Sequence, residues 1–245
     1  MIRPAAAIPA YQAARTVAEV VRETRAVLPN VLVVDDGSWD STGEEALRAG
    51  AEVVVHSRNL GKGAALATAF RVLFGRGFDA VVTLDADGQH IPEEIPRLLA
   101  CAIETGADLV LGTRDAQFAE MSPVRRWSNR LSSGAISLFA GLSIPDIQTG
   151  FRLYTKRLIE VTGLPGSGFE AESAVVVRAA RRGLRIVATP VRLGRPDGRA
   201  TSHYRPFLDS FRIARAVLGE RLRRAAPAAS RREPGVGRGT PEGLE

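Results

Sequence analysis

Short apolar runs alternate with longer stretches in which apolar residues recur every three or four positions, and this rhythm organises the first half of the chain. "AAAIPA", "VLVVDD", "AEVVVHS", "AVVTLDAD" and "ADLVLGTR" read as five strands, apolar enough to be buried on both faces. Between them the spacing predicts helices over residues 14–27, 43–49, 63–74 and 92–105. Strand–helix alternation of this kind predicts an α/β fold with a mostly parallel central sheet flanked by helices.

From about residue 115 the alternation loosens. "AQFAEMSP" reads as a loop, followed by a helix over 124–140, a turn at "SIPDIQTG" and a short strand "FRLYT". A helix over 170–182, a strand "RIVATPV" and the flexible stretch "RPDGRATSHY" lead to a last helix over 206–224. Residues 225–245 are rich in Ala, Pro, Gly and Arg, lack periodicity, and are expected to be disordered.

Ligands on open parallel sheets bind beyond the carboxyl ends of the strands. Polar residues gather at those ends: Tyr11 and Gln12, Asp35 and Asp36, Arg58 and Asn59, Asp85 and Asp87, Thr113 and Arg114. Five such ends on one rim form the strongest site signal in the chain.

Composition narrows the classes. The net charge is +6, with two lysines, Lys62 and Lys156, so the basicity is nearly all arginine. From Arg221 to Glu245 six Arg stand against three Glu, which puts +3 of the excess in the tail. The folded part is therefore only mildly basic, and a nucleic-acid partner is not expected. The lone Cys101 excludes an intramolecular disulfide and a cysteine-based zinc cluster. No basic-then-apolar signal opens the chain, and no apolar run approaches the roughly 20 residues of a membrane span, so the expectation is a cytoplasmic protein. Phe207, Phe211, Leu218 and Leu222 fall close to one helical face among Arg205, Arg212, Arg215 and Arg221, a basic amphipathic pattern that suits peripheral contact with the inner face of a membrane or docking on the sheet domain.

The candidate chemistry starts at "DADGQH". Asp85, Asp87 and Gln89 supply hard oxygen ligands after an apolar strand, which suits Mg²⁺ or Mn²⁺ on phosphate oxygens and not zinc. "VVDDGSWDSTG" repeats the design at Asp35 and Asp36, where turn chemistry and a grip on a base or ribose are both open readings. "RNLGKGAAL" places Gly61, Lys62 and Gly63 at a helix start, either a plain turn or a close approach for phosphate. Arg114, Arg125, Arg126, Arg130 and Arg152 are candidates to grip a second anion, because the guanidinium fork matches phosphate.

Taken in order, "IPAY", "VVDDGSWDST", "RNLGKGAAL", "DADGQHIPEEI", "GTR", "RRWSNRLSS", "DIQTGFRLY" and "FEAES" resemble family 2 glycosyltransferases of the GT-A fold, above all the dolichyl- or polyprenyl-phosphate mannose and glucose synthase branch. The resemblance implies a Rossmann-like nucleotide-sugar-binding half over 1–114 and an acceptor-side half over 115–224 of one domain. Pro9, Tyr11 and Asp36 would line the base pocket, and Gly61, Lys62 and Gly63 would lie along the donor. Asp85 would sit by ribose or metal, while Asp87 and Gln89 hold the divalent ion on the diphosphate. Arg114 and Arg126 would face the acceptor phosphate, with Arg130 and Arg152 on the same side. "GRATSHY" resembles the family's flexible segment near the donor and contributes Ser202 and His203, with histidine where the family carries lysine. The family's "YNE" opening is "YQA" here, so Gln12 and Ala13 depart from it.

The implied reaction is inverting transfer of a hexose from UDP-glucose or GDP-mannose to a polyprenyl or dolichyl phosphate. The alternatives are transfer to a soluble sugar or small hydroxyl, for which Glu170 or Glu172 would serve as base, and a non-catalytic nucleotide-sugar binder.

Overall fold

The computed structural model describes residues 2–113, 149–164, 166, 170–192 and 194. Seven strands form one sheet, flanked on both faces by helices. In chain order they are β1 (Pro4–Ala10), β2 (Val31–Asp35), β3 (Glu52–Val55), β4 (Ala80–Thr83), β5 (Leu109–Thr113), β6 (Arg152–Thr155) and β7 (Ile186–Pro190). The helices are α1 (Val17–Val27), α2 (Thr42–Arg48), α3 (Lys62–Gly75), α4 (Ile95–Thr105), α5 (Lys156–Thr162) and α6 (Glu170–Arg181), with a 3₁₀ turn over Pro92–Glu94. Every strand expected from the apolar runs is present.

The sheet order is β3-β2-β1-β4-β6-β5-β7. β1 pairs parallel with β2 and β4, β2 with β3, and β5 with β7. β6 alone runs antiparallel, wedged between β4 and β5. The order reverses at β1, whose carboxyl end therefore faces the crevice where open α/β sheets bind ligands.

Two apolar clusters fill the space on either face. One packs Leu66, Phe70 and Leu73 of α3 and Val175 of α6 against Val81, Leu109 and Tyr154. The other packs Val17 and Val21 of α1 and Ile95 and Leu98 of α4 against Ile8, Val82 and Phe151. α3 is buried nearly all round because it lies under the sheet and against α6, which explains its run of Ala, Leu and Phe.

Two departures from the sequence reading have local causes. α1 begins at Val17 and not at residue 14, because the Ala13 and Ala14 amides donate to Thr42 Oγ1 (2.8 Å) and Asp40 Oδ2 (3.2 Å) across the rim. α5 was not anticipated; it starts directly after β6 because Thr155 Oγ1 accepts from the Leu158 amide at 3.2 Å and caps it.

Candidate active site

β4 stops at Thr83, whose hydroxyl donates to Gly150 O at 2.7 Å and ties the strand to the start of β6. The chain then turns, and the Asp85 amide donates to His90 Nδ1 at 2.9 Å. That bond leaves the proton of the neutral ring on Nε2. His90 stacks on Phe151 with ring centroids 5.2 Å apart, so it is a buried brace behind the turn. Asp87 Oδ1 accepts from the Gln89 amide at 3.0 Å. The turn is held from both sides, by Thr16 Oγ1 donating to Ala86 O (2.6 Å) and by the Gly194 amide donating to Gln89 O (3.0 Å).

Beside this turn α3 begins. Gly61 precedes it with φ 93°, a left-handed conformation that glycine adopts without a Cβ penalty. Asp36, at the end of β2, is what holds Gly61 there: its carboxylate accepts from the Gly61 amide (2.7 Å) and the Leu60 amide (3.0 Å) and pairs with His56 Nδ1 (2.7 Å). With Gly61 fixed, Lys62 points inward. Its ammonium lies 2.6 Å from Asp85 Oδ1 and 2.9 Å from Glu172 Oε2. A Cβ on Gly150 would stand 2.6 Å from Asp85 Oδ2 and 2.9 Å from Lys62 Nζ, so only glycine lets the β6 approach pass this close.

Burial works against the Lys62 charge, but Asp85 and Glu172 more than offset it and raise its pKa above that of an ordinary lysine. Burial pushes the Asp87 carboxyl up, and the Asp85 charge adds to the shift; the Gln89 amide and the Lys62 charge oppose it. Asp85 is thus compensated by lysine, whereas Asp87 is raised by an anionic neighbour. Such a carboxylate pair fits a hard divalent ion that takes its remaining ligands from phosphate and water. Among the described residues no group of three or more His, Cys, Asp or Glu converges on one point, at this turn or away from it, so an ion here would rest on few protein ligands.

Pro9 and Tyr11 stand at the end of β1, next to the end of β2 that carries Asp36. Asp36 was expected to line the base pocket; it is buried, and its carboxylate is committed to His56 and the 60–61 backbone. Arg152 was expected to face the acceptor. It is 1% exposed, and its guanidinium donates to Thr149 O (2.6 Å) and Glu172 O (3.0 Å), with the Glu172 carboxylate 3.7 Å away. Alternation puts its side chain on the inner face of β6, which makes it scaffold beneath the site. Arg114, Arg125, Arg126, Arg130, Asp146, Gln148, Ser202 and His203 lie outside the described residues. Glu170 opens α6, and its side chain lies outside them too.

Sequence reasoning missed His56 and the double role of Glu172. His56 carries no motif; only its position one residue past β3 hints at the rim. Glu172 was weighed as a base, but its carboxylate lies between Lys62 and Arg152.

A half-open, mostly parallel sheet with an acidic turn after the strand beside the switch point, faced by a glycine-flanked helix start, defines a GT-A transferase. The chain belongs to glycosyl transferase family 2, whose profile matches residues 6–163, and it is a glycosyltransferase. An undecaprenyl-phosphate mannosyltransferase of Micrococcus luteus is 37% identical over 200 residues, 75% of this chain and 80% of that protein. A polyprenol monophosphomannose synthase of Mycolicibacterium smegmatis is 34% identical over 201 residues, 75% of this chain and 74% of its own length. In fold the chain is similar to glucosyl-3-phosphoglycerate synthase from Mycobacterium tuberculosis, solved with Mn²⁺, UDP-glucose and phosphoglyceric acid: TM-score 0.68, 21% identity, covering 89% of this chain and 79% of that one.

Proposed function

We propose that this glycosyltransferase moves a hexose from a nucleoside-diphosphate sugar, UDP-glucose or GDP-mannose, to a polyprenyl phosphate, with inversion at the anomeric carbon. The observation that carries the reading is the Asp85–Asp87 turn: one carboxylate is neutralised by Lys62, and the other is raised by burial and by its neighbour. The polyprenyl-phosphate acceptors of the bacterial relatives support the lipid substrate.

A bound Mg²⁺ or Mn²⁺, held by Asp87 and Gln89 with Asp85, would offset the charge of the departing diphosphate. The protein's own contribution is placement. Gly61 and Gly63 leave the start of α3 open to the donor, and the Asp36 clasp keeps that start in position. Lys62 holds Asp85 in one orientation and keeps two carboxylates from repelling each other. An oxygen of the acceptor phosphate bonds to the anomeric carbon as the bond from that carbon to the diphosphate oxygen breaks, and the diphosphate leaves with the electron pair. The attacking oxygen is already anionic near neutral pH, so no base has to remove a proton. Glu172, engaged by Lys62 and Arg152, is accordingly assigned to structure.

Arg114, directly after β5, and Arg126 are proposed to grip the acceptor phosphate, with Arg130, Ser202 and His203 as further substrate contacts. Residues 1–224 are proposed as one catalytic domain, donor side first and acceptor side from residue 115, with 225–245 outside it. A lipid acceptor places the enzyme at a membrane surface, and among the described residues no helix is long and apolar enough to cross one.

The test is product formation from UDP-glucose or GDP-mannose with Mn²⁺ and polyprenyl phosphate, with and without chelator. Lipid-linked hexose that disappears with chelator is expected. Hexose appearing only on a soluble hydroxyl acceptor would overturn the reading.

A further inference from the structure

Trp39 is 85% exposed, an unusual position for the largest apolar side chain. It stands in the loop between β2 and α2, on the rim where β1 and β2 end. That loop is not loosely held. Ser38 Oγ accepts from the Gln12 amide at 3.0 Å, Thr42 Oγ1 from Ala13 and Asp40 Oδ2 from Ala14, so the 38–42 segment is stapled to the backbone that follows β1.

The indole itself is held as well. The Gln12 side-chain oxygen accepts from Trp39 Nε1 at 2.5 Å and from the Trp39 amide at 3.2 Å, in the amide orientation that satisfies both of its ends. Gln12 has φ 54°, the one non-glycine residue with positive φ among those described. A side-chain-bearing residue occupies that region at a cost and persists there when its surroundings hold it. Leu60, 42% exposed, adds apolar surface from the neighbouring loop. That loop packs backbone on backbone against the 37–38 turn: a Cβ on Gly37 would fall 2.3 Å from the Arg58 carbonyl carbon.

An indole with its N–H turned toward the protein offers its ring face, not its polar edge, to an incoming group. An interfacial membrane tryptophan would keep that N–H for the lipid headgroup region. The flat, hydrogen-bond-free face suits a planar aromatic ring, and the ends of β1 and β2 flank the side of the crevice away from the Asp85–Asp87 turn on β4.

We infer that Trp39, held by Gln12, is the stacking platform for the nucleobase of the donor nucleotide. This rests on the nucleotide-sugar reading above and adds the residue that contacts the base. A stacked base contributes about five- to a hundredfold in affinity through an aromatic face and tolerates either a purine or a pyrimidine.

The experiment is calorimetry of the full chain with UDP, GDP and inorganic pyrophosphate, each with Mn²⁺, on wild type, Trp39→Ala and Trp39→Tyr, with tryptophan fluorescence followed in parallel. Trp39→Ala is expected to bind the better nucleotide five- to a hundredfold more weakly and pyrophosphate unchanged. Trp39→Tyr restores most of the loss, and nucleotide quenches wild-type emission more than that of Trp39→Tyr. Nucleotide affinity equal in wild type and Trp39→Ala overturns the inference and leaves the nucleotide-sugar reading standing. Wild type that binds pyrophosphate but neither nucleotide overturns both. Loss of binding to anionic phospholipid vesicles in Trp39→Ala with nucleotide affinity intact also overturns it, in favour of a membrane anchor.

Discussion

Lys62, the first residue of α3, and Glu172 of α6 meet at 2.9 Å beneath the acidic turn, and the same ammonium reaches Asp85 at 2.6 Å. One buried cation thus joins the two core helices on this face of the sheet to the loop proposed to hold the donor.

Lys62→Met is expected to lose up to about 3–5 kcal/mol of stability, because the buried Glu172 is left with Arg152 alone at 3.7 Å and the partly exposed Asp85 loses its nearest counter-charge. Glu172→Gln loses less, since Lys62 keeps Asp85. It retains far more turnover than a variant lacking Asp87, as a residue that is not a base should. The folded lysine's pKa is raised above its unfolded value, so its contribution is complete below the ordinary lysine range and lost only as pH rises through the folded value. Denaturant titration at neutral and at strongly alkaline pH checks this: the gap between wild type and Lys62→Met should close at the alkaline end.

Asp87→Ala and Asp87→Asn are expected to lose turnover by at least about a hundredfold and to lose metal-dependent donor binding while staying folded. The folded carboxyl is raised above its unfolded value, so the fold favours the protonated form. Stability is then fullest below the ordinary aspartate range and falls as pH rises through the folded pKa. Asp87→Asn should therefore melt higher than wild type at neutral pH with chelator, and gain nothing from Mn²⁺. Identical Mn²⁺-induced shifts in the two proteins would remove Asp87 from the metal site.

Gly150→Ala places a methyl group 2.6 Å from Asp85 Oδ2 and 2.9 Å from Lys62 Nζ. Displacing a charged pair in a packed site is expected to cost about 1–3 kcal/mol and to lower kcat by swinging Asp85 off its position. Thermal melting and steady-state kinetics check it; wild-type kcat would show that the Asp85 orientation seen here does not matter to the chemistry.

Arg114→Ala and Arg126→Ala are expected to raise the KM for the acceptor while leaving donor affinity nearly unchanged. Losing a charge-assisted grip on phosphate costs about 1.5–3 kcal/mol, roughly ten- to a hundredfold. Equal losses toward donor and acceptor, measured by calorimetry and initial rates, would place these arginines elsewhere.

The alternation of buried strands and amphipathic helices was legible because each element carries its own period, and the acidic turn was legible because Asp85 and Asp87 follow an apolar run within a few residues. Those are local facts, and local facts survive in a linear string. Which way β6 runs was not written there: four residues read the same in either direction, and only the pairing of Val81 with Tyr154 and of Leu111 with Arg152 settles it. The same holds for the arginine taken for a substrate contact. Arg152 looks like any surface cation in "GFRLY" until the strand's alternation points it inward at Glu172, on a helix that the sequence places far away. At Asp36 the sequence left turn chemistry and a grip on a base both open, and only the 60–61 backbone folded over it shows the clasp its carboxylate forms. Charge, length and period belong to the chain; which charges meet, and which are left facing a ligand, depends on contacts between distant segments, and those exist only once the sheet has brought the segments together.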